Sequence, residues 1–515
     1  MKKVLCALLA LIMVTACFAA CGGNEDGNSS QSDVIGEYES GTESTGEKIT
    51  YADKLPAAED MGGREFYVYQ RKFGSGKVTI DFQGEVIWEE TEDGELTNIN
   101  KAKYDVVEEV QKKYNCTITG EIVDTSSAAE VRTAIQEDIV GGTAEYDFCF
   151  ETYYYYYQFA LDGMLVNLHD LGIDFDQAWW DQNAVEDMSI CDQLYYALGD
   201  INTYDNDGTF VLLFNKALYK ENGGDPAELY KMAADGDWTF EEFKNIVTGF
   251  GKDANADGVR DEFDIYGLLT ETSNLYNHFL ASGNKTVEKN ANDEPELSLA
   301  TGDGYPALTD AVDLYLNDND VLVANLEKYV VKYEGEDVYE KTVTNAFKEG
   351  RGLFYMTSLI HLPYFRDMED EFGFLPIPKY NASDDRYYHN MGAHTSSVLF
   401  VPNSPANVEG EAGEQLGMII DALGAYSKDI LTPEYYEKQL KRGDAQDSDS
   451  ADMLDIVFGS RVFDLGQVFG SPWSITETVE VLDKNIASRV ESKKDSVELK
   501  MARAVSTIKE RLAGE

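Results

Sequence analysis

Between residues 64 and 150 the hydrophobic pattern switches repeatedly between a period of two and a period near four. That alternation limits the possible folds more than any other feature. Arg64-Glu65-Phe66-Tyr67-Val68-Tyr69 alternates like a strand. Lys101–Tyr114 sets Val106, Val107 and Val110 among charges at helical spacing. Thr117–Val123 returns to strand character, Ala128–Val140 places Val131, Ile135 and Ile139 on one helical face, and Tyr146–Phe150 is a short apolar strand. The order β-α-β-α-β predicts a parallel sheet, with ligand chemistry beyond the carboxyl ends of its strands.

The same alternation continues downstream. Tyr195–Leu198, Phe210–Phe214, Leu353–Met356 and Ser397–Val401 are expected strands. Thr239, with Glu242 three residues on, opens a helix whose apolar face is Phe240, Phe243, Val247 and Phe250. Gln415–Tyr426 and Val479–Leu512 are further expected helices. At 515 residues, 43% of them hydrophobic, the chain is long enough for several domains with a sizeable core. Acids outnumber bases 95 to 42, a formal charge of −53, which disfavours nucleic acid and anionic lipid as partners.

The first residues read as a targeting segment. Lys2 and Lys3 precede an apolar run, Val4–Val14, and small residues lead to Cys21. The run is too short to span a bilayer comfortably. Phe18-Ala19-Ala20-Cys21-Gly22-Gly23 looks like a bacterial lipobox with Phe where Leu is usual, and Cys17 offers an alternative lipidation site. Residues 1–20 are then a signal peptide and 21–60 a flexible acidic tether, poor in apolar surface. The expectation is export, with lipid anchoring at the outer face of the cytoplasmic membrane. Of six cysteines, three lie in the first 21 residues, so no disulfide framework or Cys-x-x-Cys metal pair is indicated. Cys116 and Cys149 sit in strand-like runs as small apolar residues.

Several ordered motifs carry a resemblance. Tyr146-Asp147 precedes Asp162-Gly163-Met164-Leu165-Val166-Asn167-Leu168, and Ala197-Leu198-Gly199-Asp200 precedes Leu213-Phe214-Asn215-Lys216. Trp238-Thr239-Phe240-Glu241-Glu242-Phe243, Phe347-Lys348-Glu349-Gly350-Arg351-Gly352 and Gly373-Phe374-Leu375-Pro376-Ile377-Pro378 follow. Together they resemble the family 1 extracellular solute-binding proteins of bacterial ABC importers, nearest in pattern to the carbohydrate-binding members. Phe214 stands where Tyr is commoner, and the chain is longer than typical members.

The resemblance implies an α/β, two-lobed, periplasmic-binding-protein-like fold of type II, each lobe a sheet flanked by helices, joined by hinge strands. Lobe 1 would comprise 61–205 with 390–430, and lobe 2 206–389 with 431–515. It also implies a monomer that closes on a sugar or oligosaccharide and delivers it to membrane permease subunits, without an organic cofactor and without catalysis.

Sugar recognition needs flat apolar rings and planar hydrogen-bonding groups. Glu151 and the run Tyr153–Tyr157 follow an expected strand end, so Glu151, Tyr153 and Tyr154 are expected at the cleft, the alternative being a half-buried helix start. By the resemblance, Thr357, Ser358 and His361 follow a strand that contacts ligand, Trp473 stands near a cleft aromatic, the alternative being a core tryptophan, and Gly392 and His394 lie at the second lobe crossing. Arg71, just past the first strand, and Tyr276 complete the expected set, the alternatives being a solvated Arg and a packed Tyr. Asp147 and Trp238 are expected in structural roles, as a cap and a helix-start staple.

A separate motif suggests a metal. Asp253, Asn255, Asp257, the Val259 carbonyl, Asp261 and Asp264 follow EF-hand ligand spacing, with Gly258 at the sharp turn. Asp264 replaces the usual bidentate Glu, and no second helix follows, so a structural calcium is expected rather than a sensor, the alternative being an acidic turn in an acidic chain. The five histidines form no His-Glu-x-x-His, and neither a Gly-x-Ser-x-Gly elbow nor a Walker A motif occurs. The alternatives to a transport receptor are a secreted carbohydrate-active enzyme, which needs two suitably spaced carboxylates, and a surface sensor or adhesion lipoprotein.

Overall fold

Local signals place the first elements: β1 (Arg64–Arg71), α1 (Asn98–Tyr114), β2 (Cys116–Val123), α2 (Ala128–Gly141), β3 (Phe148–Glu151) and α3 (Tyr153–Leu161). Thr97 starts α1 by accepting the Asn100 amide at 3.2 Å, and Asn115 ends it in the left-handed region at φ 49°. Lys112 and Lys113 in the last turn complement the helix dipole. The computed structural model describes residues 50–72, 84–88, 95–124, 127–436, 447–473 and 475–514. The leader, Cys17, Cys21 and the tether as far as residue 49 lie outside the described residues.

The chain continues through β4 (Phe210–Asn215), α4 (Phe240–Val247), β5 (Tyr266–Thr270), β6 (Val321–Val323), β7 (Gly352–Ser358) and β8 (Phe372–Leu375). It ends with β9 (His389–Asn390), β10 (Val398–Phe400), α5 (Glu411–Thr432), α6 (Ser448–Gly459), β11 (Arg461–Val462) and α7 (Ile486–Leu512). One sheet has the order β10-β3-β1-β2, with β1 parallel to β2 and β3, and β10 antiparallel to β3. A second has the order β8-β4-β7-β5-β6, with β4 antiparallel to both neighbours and β5 parallel to both of its own.

Each sheet is buried under helices. Val106, Val107 and Val110 of α1 are buried, and α1 packs against α5. Phe240, Phe243 and Val247 of α4 face the second core, with the fully buried Trp238 edge-on to Phe243 at 6.0 Å, a hydrophobic staple. Thr239 caps this helix through the Glu242 amide at 3.4 Å. Cys116, Cys149 and Cys191 are free and buried.

Two expected elements differ. Tyr195–Leu198 is buried but makes only a single bridge, Ala197 to Leu399, so its apolar run reflects burial rather than ladder pairing. The expected helix Val479–Leu512 is interrupted, with α7 beginning at Ile486. There the Asp483 carboxylate accepts the Asn485 amide at 2.6 Å, an Asx turn that competes with helix. Arg489 then gathers the carbonyls left at Thr478 and Val481.

Segments 203–209 and 391–397 carry the chain between the sheets, and they touch. Thr209 bridges Met391, and the Gly392 amide donates to the Gly208 carbonyl at 2.9 Å. Buried Glu85 ties both segments to the first sheet. It accepts the Thr203 amide (2.8 Å), the Thr203 hydroxyl (2.6 Å), the Tyr204 amide (3.0 Å) and the Ser397 hydroxyl. The equally buried Lys103 of α1 stands 3.9 Å from it.

Candidate functional site

Register determines what meets at the carboxyl ends of the first sheet. Val68 pairs with Phe148, and the same offset brings Arg71, the last residue of β1, level with Glu151, the last of β3. Arg71 closes a two-point ion pair there, Nε to Oε1 at 2.6 Å and Nη2 to Oε2 at 3.3 Å. Glu151 is fully buried; burial pushes its carboxyl up, opposed by Arg71 and the Thr152 amide. The pair is a rigid floor for the residues that follow β3.

Those residues form α3 and divide by helical face. Tyr153 is fully buried; its hydroxyl donates toward Gln467 Oε1 (2.9 Å) and lies 3.1 Å from the Met391 carbonyl. Tyr154 is half-buried, its ring centroid 3.8 Å from that of the exposed His394. Tyr155 stands edge-on to Tyr154 at 5.2 Å and 5.8 Å from His394. Tyr154, Tyr155 and His394 therefore form a partly exposed aromatic patch beside the crossing segments.

A second group sits at the carboxyl end of β7. His361 Nδ1 is 3.0 Å from the Thr357 hydroxyl and 3.4 Å from that of Ser358, and its ring stacks on Tyr364 at 6.3 Å. Burial lowers the His361 pKa, which favours a neutral imidazole. The Leu359 amide, one residue past Ser358, donates to the Thr209 carbonyl at 3.1 Å. The aromatic patch and the hydroxyl–imidazole group thus flank one crossing, Thr209 and Met391.

Other expected contacts lie elsewhere. Tyr276 is buried and donates to Asp464 Oδ2 at 2.8 Å, a carboxylate that also accepts the Thr286 amide at 2.7 Å. Trp473, 1% exposed, ends a short helix and packs on Phe469 at 5.6 Å. Gly392 is buried, and a Cβ there would meet the Thr395 hydroxyl at 2.5 Å, so tight packing accounts for the glycine. Asp147 accepts the Tyr67 amide at 2.8 Å and pairs with Arg64, as a cap.

Sequence reading missed Tyr155, Glu271 and Glu480. Burial pushes the Glu480 carboxyl up to about 7, with Glu271 and Glu477 adding repulsion. Glu271, just past β5, is raised for the same first reason while Ser273 and Tyr339 hydrogen-bond it. Nothing in their local sequence marks them, since both are isolated glutamates in an acidic chain.

In the loop after α4, Asp253 accepts the Gly258 amide (2.9 Å), Asn255 that of Asp257 (3.0 Å), Asp257 that of Val259 (2.8 Å) and Asp261 that of Phe263 (3.0 Å). Gly258 takes the left-handed φ of 78°. Asp253, Asn255, Asp257 and Val259 are exposed. Asp264 is buried, accepts the Ala254 amide at 2.9 Å and pairs with Arg260 at 3.2 Å. Among the described residues no three His, Cys, Asp or Glu side chains are grouped to hold a metal. Asp264, at the twelfth position of the loop, is thus engaged by Ala254 and Arg260. Among the described residues, too, no helix is long and apolar enough to cross a membrane.

No family model and no curated protein matches the chain. Solved structures do. UspC of M. tuberculosis matches with a TM-score of 0.51 at 13% identity, over 86% of this chain and 100% of that one. A cyclo/maltodextrin-binding protein complexed with maltotetraose matches with a TM-score of 0.50 at 12% identity, over 87% and 97%. Identity this low shows the fold alone: the chain has the two-lobed, periplasmic-binding-protein-like α/β architecture of these structures, each lobe a sheet flanked by helices.

Proposed function

We propose that the chain is the solute-binding component of an ABC importer, which captures a sugar or oligosaccharide between its lobes and delivers it to a permease. The observation that carries this reading is the pairing, around one crossing, of the Tyr154–Tyr155–His394 patch with the Thr357–Ser358–His361 group. Aromatic faces suit the C–H faces of a pyranose, and hydroxyls with a neutral imidazole suit its hydroxyls. The fold shared with a maltotetraose-bound protein supports the same ligand class. Lobe 1 is proposed as 61–205 with 390–430 and lobe 2 as 206–389 with 431–515.

The rest of the proposal follows from the sequence. Cys21, or Cys17, carries the lipid that anchors the exported monomer at the outer face of the membrane. Calcium binds Asp253, Asn255, Asp257, the Val259 carbonyl, Asp261 and Asp264, the last after release from Arg260. A second reading is a carbohydrate-active enzyme, in which Glu480, its carboxyl pushed up to about 7 by burial with Glu271 and Glu477 adding repulsion, would serve as general acid. Incubation with linear oligosaccharides followed by chromatography separates the two. Binding without products supports the receptor, and shortened products support the enzyme.

A further inference from the structure

Two tight turns, one hung from each sheet, meet tip to tip. The first is Ile190–Gln193, closed by the Ile190 amide on the Gln193 carbonyl at 3.0 Å and the reverse bond at 3.1 Å. The bridge from Ala197 to Leu399 of β10 ties it to the first sheet. The second is the tip, residues 290–294, of a hairpin that pairs Val287–Lys289 with Pro295–Leu297. This hairpin follows the helix Asn274–Leu280, whose Asn274 side chain donates to the Met356 carbonyl of β7 at 3.0 Å and so ties it to the second sheet.

Asp293 makes the junction. Its carbonyl accepts the Cys191 amide at 2.7 Å, one carboxylate oxygen accepts the Asp192 amide at 2.8 Å, and the other accepts the Ser189 hydroxyl at 2.9 Å. Lys289 pairs with the same carboxylate at 2.6 Å and donates to the Ser189 hydroxyl at 2.7 Å. Lys285, at the base of the hairpin, pairs with Asp187.

The backbone at this contact is unusual. Cys191, Asp192 and Asp293 have φ of 54°, 60° and 55°, three of the six left-handed non-glycine residues among the described residues. Turn geometry accounts for such residues within each hairpin, but it does not require the two tips to meet at them. Left-handed non-glycine residues gather at clamps and switch regions, where the surroundings hold them. The contact is also polar and lies at the surface. Of Asp187, Ser189, Cys191, Asp192, Lys285, Lys289 and Asp293, only Cys191 is buried. Parting the tips exchanges these bonds for bonds to water and uncovers little apolar surface.

We infer that this contact is a closure latch, in which Asp293 of lobe 2 grips the Ile190–Gln193 turn of lobe 1 in the closed form and releases it on opening. The inference rests on the lobe division proposed above. None of the latch residues belongs to the Tyr154–Tyr155–His394 patch or the Thr357–Ser358–His361 group. The latch therefore sets ligand affinity through the fraction of closed molecules and not through contact with the ligand.

The test is small-angle scattering and titration calorimetry on the intact chain. Asp293→Gly keeps the left-handed backbone and removes the carboxylate, and Lys285→Ala removes the flanking ion pair. The ligand-free double variant should show a larger radius of gyration than the wild type while still melting cooperatively. Saturation with maltotetraose should return the radius towards the wild-type value, with binding about tenfold weaker for a tenfold fall in the closed fraction. An unchanged ligand-free radius, a larger radius that comes with loss of cooperative melting, or a larger radius with unchanged affinity overturns the latch. A wild type that binds no oligosaccharide defeats the sugar reading alone, because the ligand-free radius still decides the latch.

Discussion

Replacing Glu85 by Ala should be among the most damaging single changes in the chain. Glu85 and Lys103 are each 1% exposed, so the substitution removes the carboxylate that stands 3.9 Å from a buried ammonium. It also removes the acceptor shared by Thr203, Tyr204 and Ser397, which belong to both crossing segments. Breaking a buried pair from one side costs about 3–5 kcal/mol, and orphaned donors add to that. The pH dependence has a definite sign. Burial lowers Lys103 to about 8 against an ordinary value of 10.5, so the folded chain releases this proton before the unfolded chain does. Wild-type stability therefore rises as pH climbs from about 8 towards 10.5. Without Glu85 the Lys103 value falls further, so the deficit of the variant is largest at low pH, shrinks as pH rises towards about 8 and is constant above that. Urea unfolding at pH 6.5 and pH 9 measures both. A loss below about 1 kcal/mol at pH 6.5, or a deficit that grows with pH, refutes the reasoning. Glu85→Gln, which keeps one acceptor oxygen, separates lost charge from lost hydrogen bonds.

Glu480, at about 7 against an ordinary 4.5, binds its proton more tightly when folded, so stability falls as pH rises across that interval. Glu480→Gln should remove this slope and stabilise the chain at pH 8 by on the order of 2 kcal/mol, as melts at pH 5 and pH 8 would record. Tyr154→Ala should weaken oligosaccharide binding about tenfold, or about 1.4 kcal/mol, with little change in melting, read by calorimetry. Trp473→Ala should instead cost about 3–5 kcal/mol of stability, because its ring is buried against Phe469. Millimolar calcium should raise the melting temperature and Asp257→Ala should abolish the rise; a chelator without effect on the wild type removes calcium from the account.

The elements from β1 to β3 were legible because each shows a local hydrophobic period of two or near four; the caps at Thr97 and Ser127 and the left-handed Asn115 and Gly142 emerge only in the structure. What those elements bring together was less legible. Arg71 and Glu151 were both named as ligand contacts, yet their mutual pairing depends on a register offset of 80 residues that no local pattern encodes. Tyr154 and Tyr153 are chemically identical neighbours, and only the direction each takes off α3 sends one to the patch and the other to Met391. Tyr276 and Trp473 show the same ambiguity, since a buried aromatic and a cleft aromatic read alike in sequence. Glu85 and Arg461 were passed over because their partners lie more than a hundred residues away, at Thr203 and Ser397 for one and at Asp181 and Asp205 for the other.

The central claim is that the lobes close on an intact sugar, and titration calorimetry of the purified chain with maltotetraose and related oligosaccharides, followed by chromatography of the same samples, tests it most directly. The account predicts saturable one-to-one binding by at least one unmodified oligosaccharide, weakened by Tyr154→Ala, with no products. Absence of binding across the panel, or conversion of the ligand that binds, would contradict it.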